Sequence, residues 1–301
     1  MDGILNINKP AGMTSFAVVS RIRRICKTQK VGHAGTLDPD ARGVLPVCVG
    51  KATKVIEFFM DHTKTYRVGL MLGAATDTQD ASGNVLYEKP VQASDEEIEV
   101  AIKSFLGEIK QIPPMYSAIK INGKKLYELA RKGIEVERKP RTVTFYRIDI
   151  LDMVRRGDKA EVVLDVECSK GTYMRTLCHD IGEKLGCGGY MGSLTRMRSG
   201  PFSIENSYSL EELENAEDGM PDRALLPVDW ALNDFPVVRL NDKDARRFRN
   251  GLDVPMEDLS EGFVRVYHES GGFMAVGKII IRVKRPELRI YKWIGCDSNG
   301  L

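Results

Sequence analysis

The chain reads as an α+β protein: a larger domain built on a largely antiparallel, mixed sheet, followed by a small C-terminal β-barrel. Three observations lead there. Strand-like and helix-like stretches are mixed before Phe235 without the regular βαβ alternation of a doubly wound fold. Beyond Phe235, alternating segments at Phe263–Tyr267, Met274–Val283 and Leu288–Trp293 are separated by glycines and a proline, as short antiparallel strands are. Between the two regions an acidic stretch, Glu211–Asp218, and a Pro221–Asp229 connection mark a boundary. Residues 1–232 and 235–293 are therefore expected to form separate domains.

Ile4–Ile7 predicts a short strand that runs into a turn at Lys9-Pro10-Ala11-Gly12. Thr14 or Ser15 then caps a helix reaching about Cys26, which carries Arg21, Arg23 and Arg24. Tyr66–Leu72 alternate and predict a strand, and Ser94 with Glu97 forms a capping box for a helix to about Phe105. Strands are expected at Thr142–Leu151 and Glu161–Cys168. Lys170-Gly171-Thr172 leads into a helix over Tyr173–Leu185, which Gly186 ends. A further acidic helix is expected near Glu211.

With 301 residues, 43% hydrophobic and 29% charged, the composition is that of an ordinary soluble protein. No apolar run approaches the length that crosses a bilayer, and MDGILNINKP lacks the basic and apolar regions of a signal peptide, so a cytoplasmic location is expected. The six cysteines (Cys26, Cys48, Cys168, Cys178, Cys187 and Cys296) include no CxxC pair, and the four histidines complete no zinc spacing with them. Buried free thiols and no structural metal follow. The net charge of +2 hides a basic cluster: between Ser117 and Arg147 stand nine Lys or Arg against three Glu. Such a cluster is an electrostatic footprint for polyphosphate, although alone it more often marks a solvated face.

The most informative segment is Gly32-His33-Ala34-Gly35-Thr36-Leu37-Asp38-Pro39. Its glycines permit backbone angles that other residues avoid, and Pro39 holds Asp38 out of the helical region, so one carboxylate is presented from a tight loop beside a histidine. Taken alone, the same residues more often make a plain Asp-Pro turn. Asp77 and Asp80 invite comparison with a calcium loop, but Ser82 replaces the required glycine and Gln79 and Ala81 fall at ligand positions, so a structural turn is the reading.

The stretch Gly32–Gly50, GHAGTLDPDARGVLPVCVG, resembles the catalytic motif of the tRNA pseudouridine synthase B (TruB) family. Four further blocks agree with it in order: Asn8-Lys9-Pro10 through Thr14-Ser15, Lys64-Thr65-Tyr66 with Gly73–Asp80, Pro113–Ser117 with Lys120–Gly123, and Ser169–Thr176. The resemblance implies the pseudouridine synthase fold and, less strongly, a PUA-like RNA-binding unit at the C-terminus. It implies isomerisation of uridine 55 in the T-loop of tRNA, in which the base is flipped out, detached at N1 and rejoined through C5. Nothing is gained or lost overall, so no cofactor is expected.

By that resemblance Asp38 is the catalytic nucleophile, acting either on C1′ or by helping to abstract the C2′ proton to give a glycal. Arg175 is the counter-charge that would keep it ionised. Tyr66 is the active-site tyrosine against the base, with a hydroxyl available to a proton, and Leu194 is the apolar support on another side. Tyr173 lines the site, His33 serves RNA binding rather than acid–base chemistry, and Lys9 is read as a substrate contact. Arg42 stands where relatives usually carry a small or uncharged residue. The segment from Pro114 through Lys125, with Lys120, Lys124 and Lys125, resembles the insertion with which bacterial enzymes grip the T-arm, and the whole insertion spans about 113–147.

The expected partner is tRNA, held at its T-arm and acceptor region by a monomer without membrane, protein partner or guide RNA. Two rivals stand beside this reading. One is a dyskerin-type enzyme directed by a guide RNA and partner proteins. The other is a non-catalytic module that holds tRNA while it refolds, a role compatible with the enzyme.

Overall fold

The computed structural model describes residues 1–117, 119–121, 123–215, 223–282 and 285–295, and the side chains of Lys120, Ile121 and Lys125 lie outside the description. The strands before Phe235 are β1 (Gly3–Lys9), β2 (Val31–His33), β3 (Arg42–Val49), β4 (Lys64–Leu72), β5 (Ala74–Thr76), β6 (Val85–Glu88), β7 (Gly107–Gln111), β8 (Lys120–Ile121), β9 (Lys124–Lys125), β10 (Arg141–Arg156), β11 (Lys159–Cys168), β12 (Gly189–Ser199) and β13 (Phe202–Ser203). The helices there are α1 (Ser15–Ile25), α2 (Ile56–Phe59), α3 (Asp95–Lys103), α4 (Leu126–Ala130), α5 (Met174–Leu185) and α6 (Leu210–Glu214).

Nine strands form one mixed sheet in the order β1-β3-β12-β4-β11-β10-β7, with β2 added to β3 and β13 to β12. Every pairing in it is antiparallel except the short contact of β12 with β3. Alternation explains the middle of the sheet. Val68, Leu70 and Leu72 on β4 and Val162, Leu164 and Val166 on β11 all point to one buried face. Against that face lie Leu177, Cys178 and Ile181 of α5 and Ile98 and Ile102 of α3, spaced at helical intervals. Each such side chain contributes about 1.5–3 kcal/mol by leaving water.

The helix ends follow their caps. Thr14 accepts from Ala17 N to start α1, and Ser94 and Glu97 make the reciprocal capping box of α3. Gly186, at φ 73°, closes α5. An analogous box at Ser209 and Glu212 opens the short acidic helix α6. Two strands of the sheet, β3 and β12, carry no clear strand pattern in their sequence. β3 contains Gly43 and Pro46, which argue against a strand, yet Pro46 pairs with Asn6 and its carbonyl accepts from Ala34 N at 2.9 Å. β12 breaks its alternation with register shifts at Met191/Ser193 and Arg196/Arg198.

Beyond Phe235 the elements are β14 (Val237–Leu240), α7 (Asp242–Arg249), β15 (Val254–Pro255), β16 (Gly262–His268), β17 (Gly271–Arg282) and β18 (Arg285–Trp293). Their sheet, ordered β14-β16-β17-β18-β15, curls into a half-barrel, in line with the small β-barrel expected. Its edge strands are short, and α7 inserts Ala245 and Phe248 into the core they share with Val254, Ile279 and Leu288. This unit is not a loose appendage. Phe58 of α2 meets Phe235 and Phe263 edge-on, with ring centroids 5.3 and 5.1 Å apart, and Val276 and Ile294 join a core with Ile4, Val44 and Phe59. Lys54 Nζ donates to the Trp293 carbonyl at 2.7 Å.

The placing of α5 on β12 depends on Gly182. A Cβ there would lie 2.0 Å from Gly189 N and 2.2 Å from Gly188 C, both backbone atoms that cannot swing aside. Gly182→Ala should therefore cost about 1–3 kcal/mol, seen as a lower thermal midpoint; an unchanged midpoint would refute the close approach.

Candidate active site

The loop that carries Asp38 is held on both flanks by backbone hydrogen bonds. On one side Ser15 Oγ accepts from Leu37 N at 3.0 Å and donates to Leu37 O at 3.2 Å. On the other, Lys9 Nζ donates to Pro39 O at 2.9 Å and to Pro10 O at 2.8 Å. Ala41 N closes the turn on Asp38 O at 3.1 Å. Gly35, at φ 91°, takes the left-handed conformation that turns the chain out of β2. The Asp38 side chain itself is left 43% exposed.

Arg175 comes to Asp38 from the first turn of α5. Its Nη2 lies 3.1 Å from Asp38 Oδ2 and donates to Tyr116 O at 2.8 Å, while Nη1 lies 3.6 Å from Asp80 Oδ2. A cation in a helix's first turn opposes the helix dipole, and this one is 7% exposed, so the two carboxylates offset both costs. Gln111 steadies the approach by bonding Tyr173 N and O, each at 2.9 Å, at the N-cap of α5. Asp80 is fixed in turn by Thr78 Oγ1 at 2.7 Å and by Ser82 N and Oγ at 3.0 and 2.6 Å.

Although part of its side chain meets solvent, the Asp38 carboxyl is closely surrounded, and burial raises it above its ordinary value. Arg175 and Lys9 pull it down, and Asp80 and Asp40 push it further up. The expected counter-charge is thus in place, but desolvation outweighs it.

Tyr66 stands on β4 directly opposite Arg196 of β12, and Leu194 stands opposite Val68, so these side chains share one face of the sheet. Tyr66 and Leu194 both pack on the edge of the main core. Burial raises the Tyr66 hydroxyl, with Arg196 opposing, and burial likewise raises Tyr173; Asp38 adds to the rise of both. His33 ends β2, and burial followed by Arg196 pulls its imidazole below the ordinary range, which favours the neutral ring. Lys64 is 6% exposed and is lowered to about 8, chiefly by burial.

The fold therefore gathers Asp38, Arg175, Tyr66 and Tyr173 within electrostatic reach of one another, with Leu194 beside Tyr66. Lys9 is placed otherwise than a substrate contact requires. It is 0% exposed, lowered to about 8 chiefly by burial, and committed to two protein carbonyls, so it braces the loop. Lys124 is exposed on β9, whereas the side chains of Lys120 and Lys125 lie outside the described residues. Arg42 is exposed at the start of β3. Cys26, Cys48, Cys168, Cys178 and Cys187 are buried and none of them is in a disulfide, and Cys296 lies outside the described residues.

Four contributors to the site are not singled out for that role by sequence: Asp80 as the second partner of Arg175, together with Gln111, Ser15 and Arg196. Ser15 and Asp80 do stand out in the sequence, but as a helix cap and a turn residue, whereas Gln111 and Arg196 carry no local signal.

Residues 23–174 match the TruB family pseudouridylate synthase (N terminal domain), which alone spans half of the chain. The chain belongs to the TruB family of pseudouridine synthases. Residues 175–233 match the tRNA pseudouridylate synthase B C-terminal domain, and 236–285 match Pseudouridine synthase II TruB, C-terminal. The tRNA pseudouridine synthase B of Alkaliphilus oremlandii is 52% identical over 83% of this chain and 82% of its own. That of Clostridium kluyveri is 46% identical over 92% and 95%. Among solved structures, a Cbf5-Nop10-Gar1 complex contains a chain with a TM-score of 0.73 and 29% identity, covering 97% of this chain and 84% of that one. The TruB member described here is accordingly a tRNA pseudouridine synthase, an isomerase.

The raised Asp38 carboxyl has a consequence for stability. A carboxyl whose folded value exceeds its unfolded one favours the protonated state, so its ionisation costs folding free energy above that value. Asp38→Asn should therefore unfold at the parental temperature or higher at pH 7. The advantage should vanish in acid, below the ordinary carboxylate value, where Asp38 is protonated in both states. Calorimetry showing a clearly lower midpoint at pH 7 would contradict this sign.

Proposed function

We propose that the enzyme isomerises uridine 55 in the T-loop of tRNA, working in the cytoplasm as a monomer without a cofactor. The observation that carries the proposal is the Arg175–Asp38 ion pair, held beside Tyr66 and Leu194. The reaction breaks N1–C1′ and forms C5–C1′; N1 gains a proton and C5 loses one. Asp38, ionised, acts as nucleophile on C1′ or takes the C2′ proton on the glycal route. Arg175 orients it and stabilises its charge. Tyr66 and Leu194 hold the uracil from two sides while it is detached, and Tyr173 completes the wall. His33, kept neutral, is suited to stack on a base in the flipped-out loop.

The basic segment supports T-arm binding. Lys124, Arg131 and Lys132 are exposed, and the segment is joined to the site where Tyr116 O accepts from Arg175. The half-barrel beyond Phe235 is assigned, as a PUA-like unit, to the acceptor region of the same tRNA. A second reading, a dyskerin-type enzyme that works with partner proteins and a guide RNA, has in its favour the likeness to chains of the Cbf5-Nop10-Gar1 complex and of an H/ACA RNP bound to a substrate RNA. The relatives at 46–52% identity, both tRNA pseudouridine synthase B, favour the stand-alone enzyme. Affinity purification that brings down a stoichiometric guide RNA would reverse that order.

Asp38→Asn should bind tRNA at least as tightly as the parent and form no pseudouridine at position 55, as mapped by mass spectrometry. Arg175→Met should lose most activity, and Arg42→Ala should keep most of it. Conversion by Asp38→Asn at near the parental rate would overturn the proposal.

Replacing Lys124, Arg131 and Lys132 together by Gln should flatten the plot of log affinity against log salt. Every phosphate no longer neutralised lowers the steepness of that plot by about 0.7–0.9. An unchanged slope would remove these residues from the RNA interface.

A further inference from the structure

Arg196 lies in the middle of the large sheet and is 1% exposed. Its Nε donates to Val44 O at 2.7 Å and its Nη2 to Gly35 O at 3.0 Å. Among the described residues no carboxylate comes within 4.0 Å of it. A buried guanidinium without an ion pair is costly, and where packing alone is needed an apolar side chain of similar volume serves better. The cost points to a task.

The surroundings indicate which task. In β12, Arg196 is opposite Tyr66 of β4 on one side and Gly43 of β3 on the other. The β-bulge between Arg196 and Arg198 falls at this point and re-aims the strand. Gly43, at φ 100°, brings β3 so near that a Cβ would stand 2.3 Å from Arg196 O. Gly35 yields similar room, since its Cβ would meet Nη1 at 3.3 Å. The guanidinium thus bridges the Asp38 loop and β3, and its own strand carries it beside Tyr66. The ionisable groups that face it come from three strands: Lys9 on β1, His33 on β2, and Lys64 and Tyr66 on β4. Each feels its charge.

We propose that Arg196 is a positioning residue of the isomerisation, tying the Gly35 carbonyl of the Asp38 loop to the β3–β12–β4 surface and so setting Asp38 against Tyr66. This rests on the function proposed above. A fork that spans two carbonyls is needed, because a single ammonium cannot reach both along the guanidinium's two directions.

Three variants test it, with parental enzyme on a T-loop substrate as the reference. Arg196→Lys keeps the charge without the fork, Arg196→Gln keeps donors without the charge, and Gly35→Ala disturbs the tie from the loop side. All three should bind tRNA with the parental Kd while the single-turnover rate falls by about 100-fold, the scale of a displacement near 1 Å. Hydrogen exchange of the Ala34–Thr36 amides should accelerate in tRNA-free protein. In Arg196→Gln the His33 imidazole should titrate at higher pH by NMR, whereas in Arg196→Lys it should not. A parental rate in the Arg196 variants, a Kd that weakens in step with the rate, or a loss that matches the unfolded fraction would each overturn the proposal. Failure of the parent to convert the T-loop uridine would instead sink the proposed function, leaving the exchange and His33 measurements to judge Arg196 on their own.

Discussion

Burying one guanidinium is the constraint around which the active site is organised. Arg175 sits at the positive end of α5 and is almost wholly out of water, an arrangement that two carboxylates and a backbone carbonyl must offset. Those three partners come from three places far apart in the chain: the Asp38 loop, the Thr76–Asn84 turn and the start of the basic insertion. Meeting the needs of one side chain therefore brings together the Asp38 carboxylate, the turn that carries Asp80 and the start of the basic insertion. Asp80 cannot be moved without leaving a buried charge short of a partner, and its own three hydrogen bonds keep it still.

Internal bonding likewise governs the loop that presents Asp38. Its backbone groups are bonded to Ser15, Lys9 and Arg196, so the loop inherits the rigidity of α1, β1 and β12. Loops in general are mobile, and one that must aim a reacting carboxylate has to be made otherwise. Several of the supporting cations are themselves buried. With Lys9 and Lys64 lowered to about 8 by desolvation, their ammonium groups are held by carbonyls rather than by carboxylates. The carboxylates of Asp38 and Asp80 are thereby left to Arg175.

Much of the scaffold was legible because its signals are local. Thr14, the Ser94/Glu97 box and Gly186 satisfy backbone groups within a few residues of themselves, and the alternation in β4 and β11 states which face is buried. β3 and β12 were not legible. Pro46 and Gly43 read as loop until a neighbour supplies Ala34 as a donor and Arg196 as the strand that needs a missing side chain. The bulges of β12 erase the period by which a strand is recognised. The small β-barrel expected at the C-terminus was legible from its alternating segments, whereas the part of α7 in it, Ala245 and Phe248 in the shared core, was not.

The chain on its own determined the chemistry available: a carboxylate in a glycine-bounded loop, an arginine at a helix start, a tyrosine in an alternating strand and a basic stretch between them. Five ordered motifs were enough to point to the TruB family and hence to the fold. Only the tertiary structure decided which charges compensate one another. It gave Arg175 a second carboxylate, placed Lys9, read as a substrate contact, as a buried brace, and set Arg196 between the loop and Tyr66. The reason is physical: the worth of a charge depends on how far it is from water and from its partners, and both distances are set by contacts between residues remote in sequence.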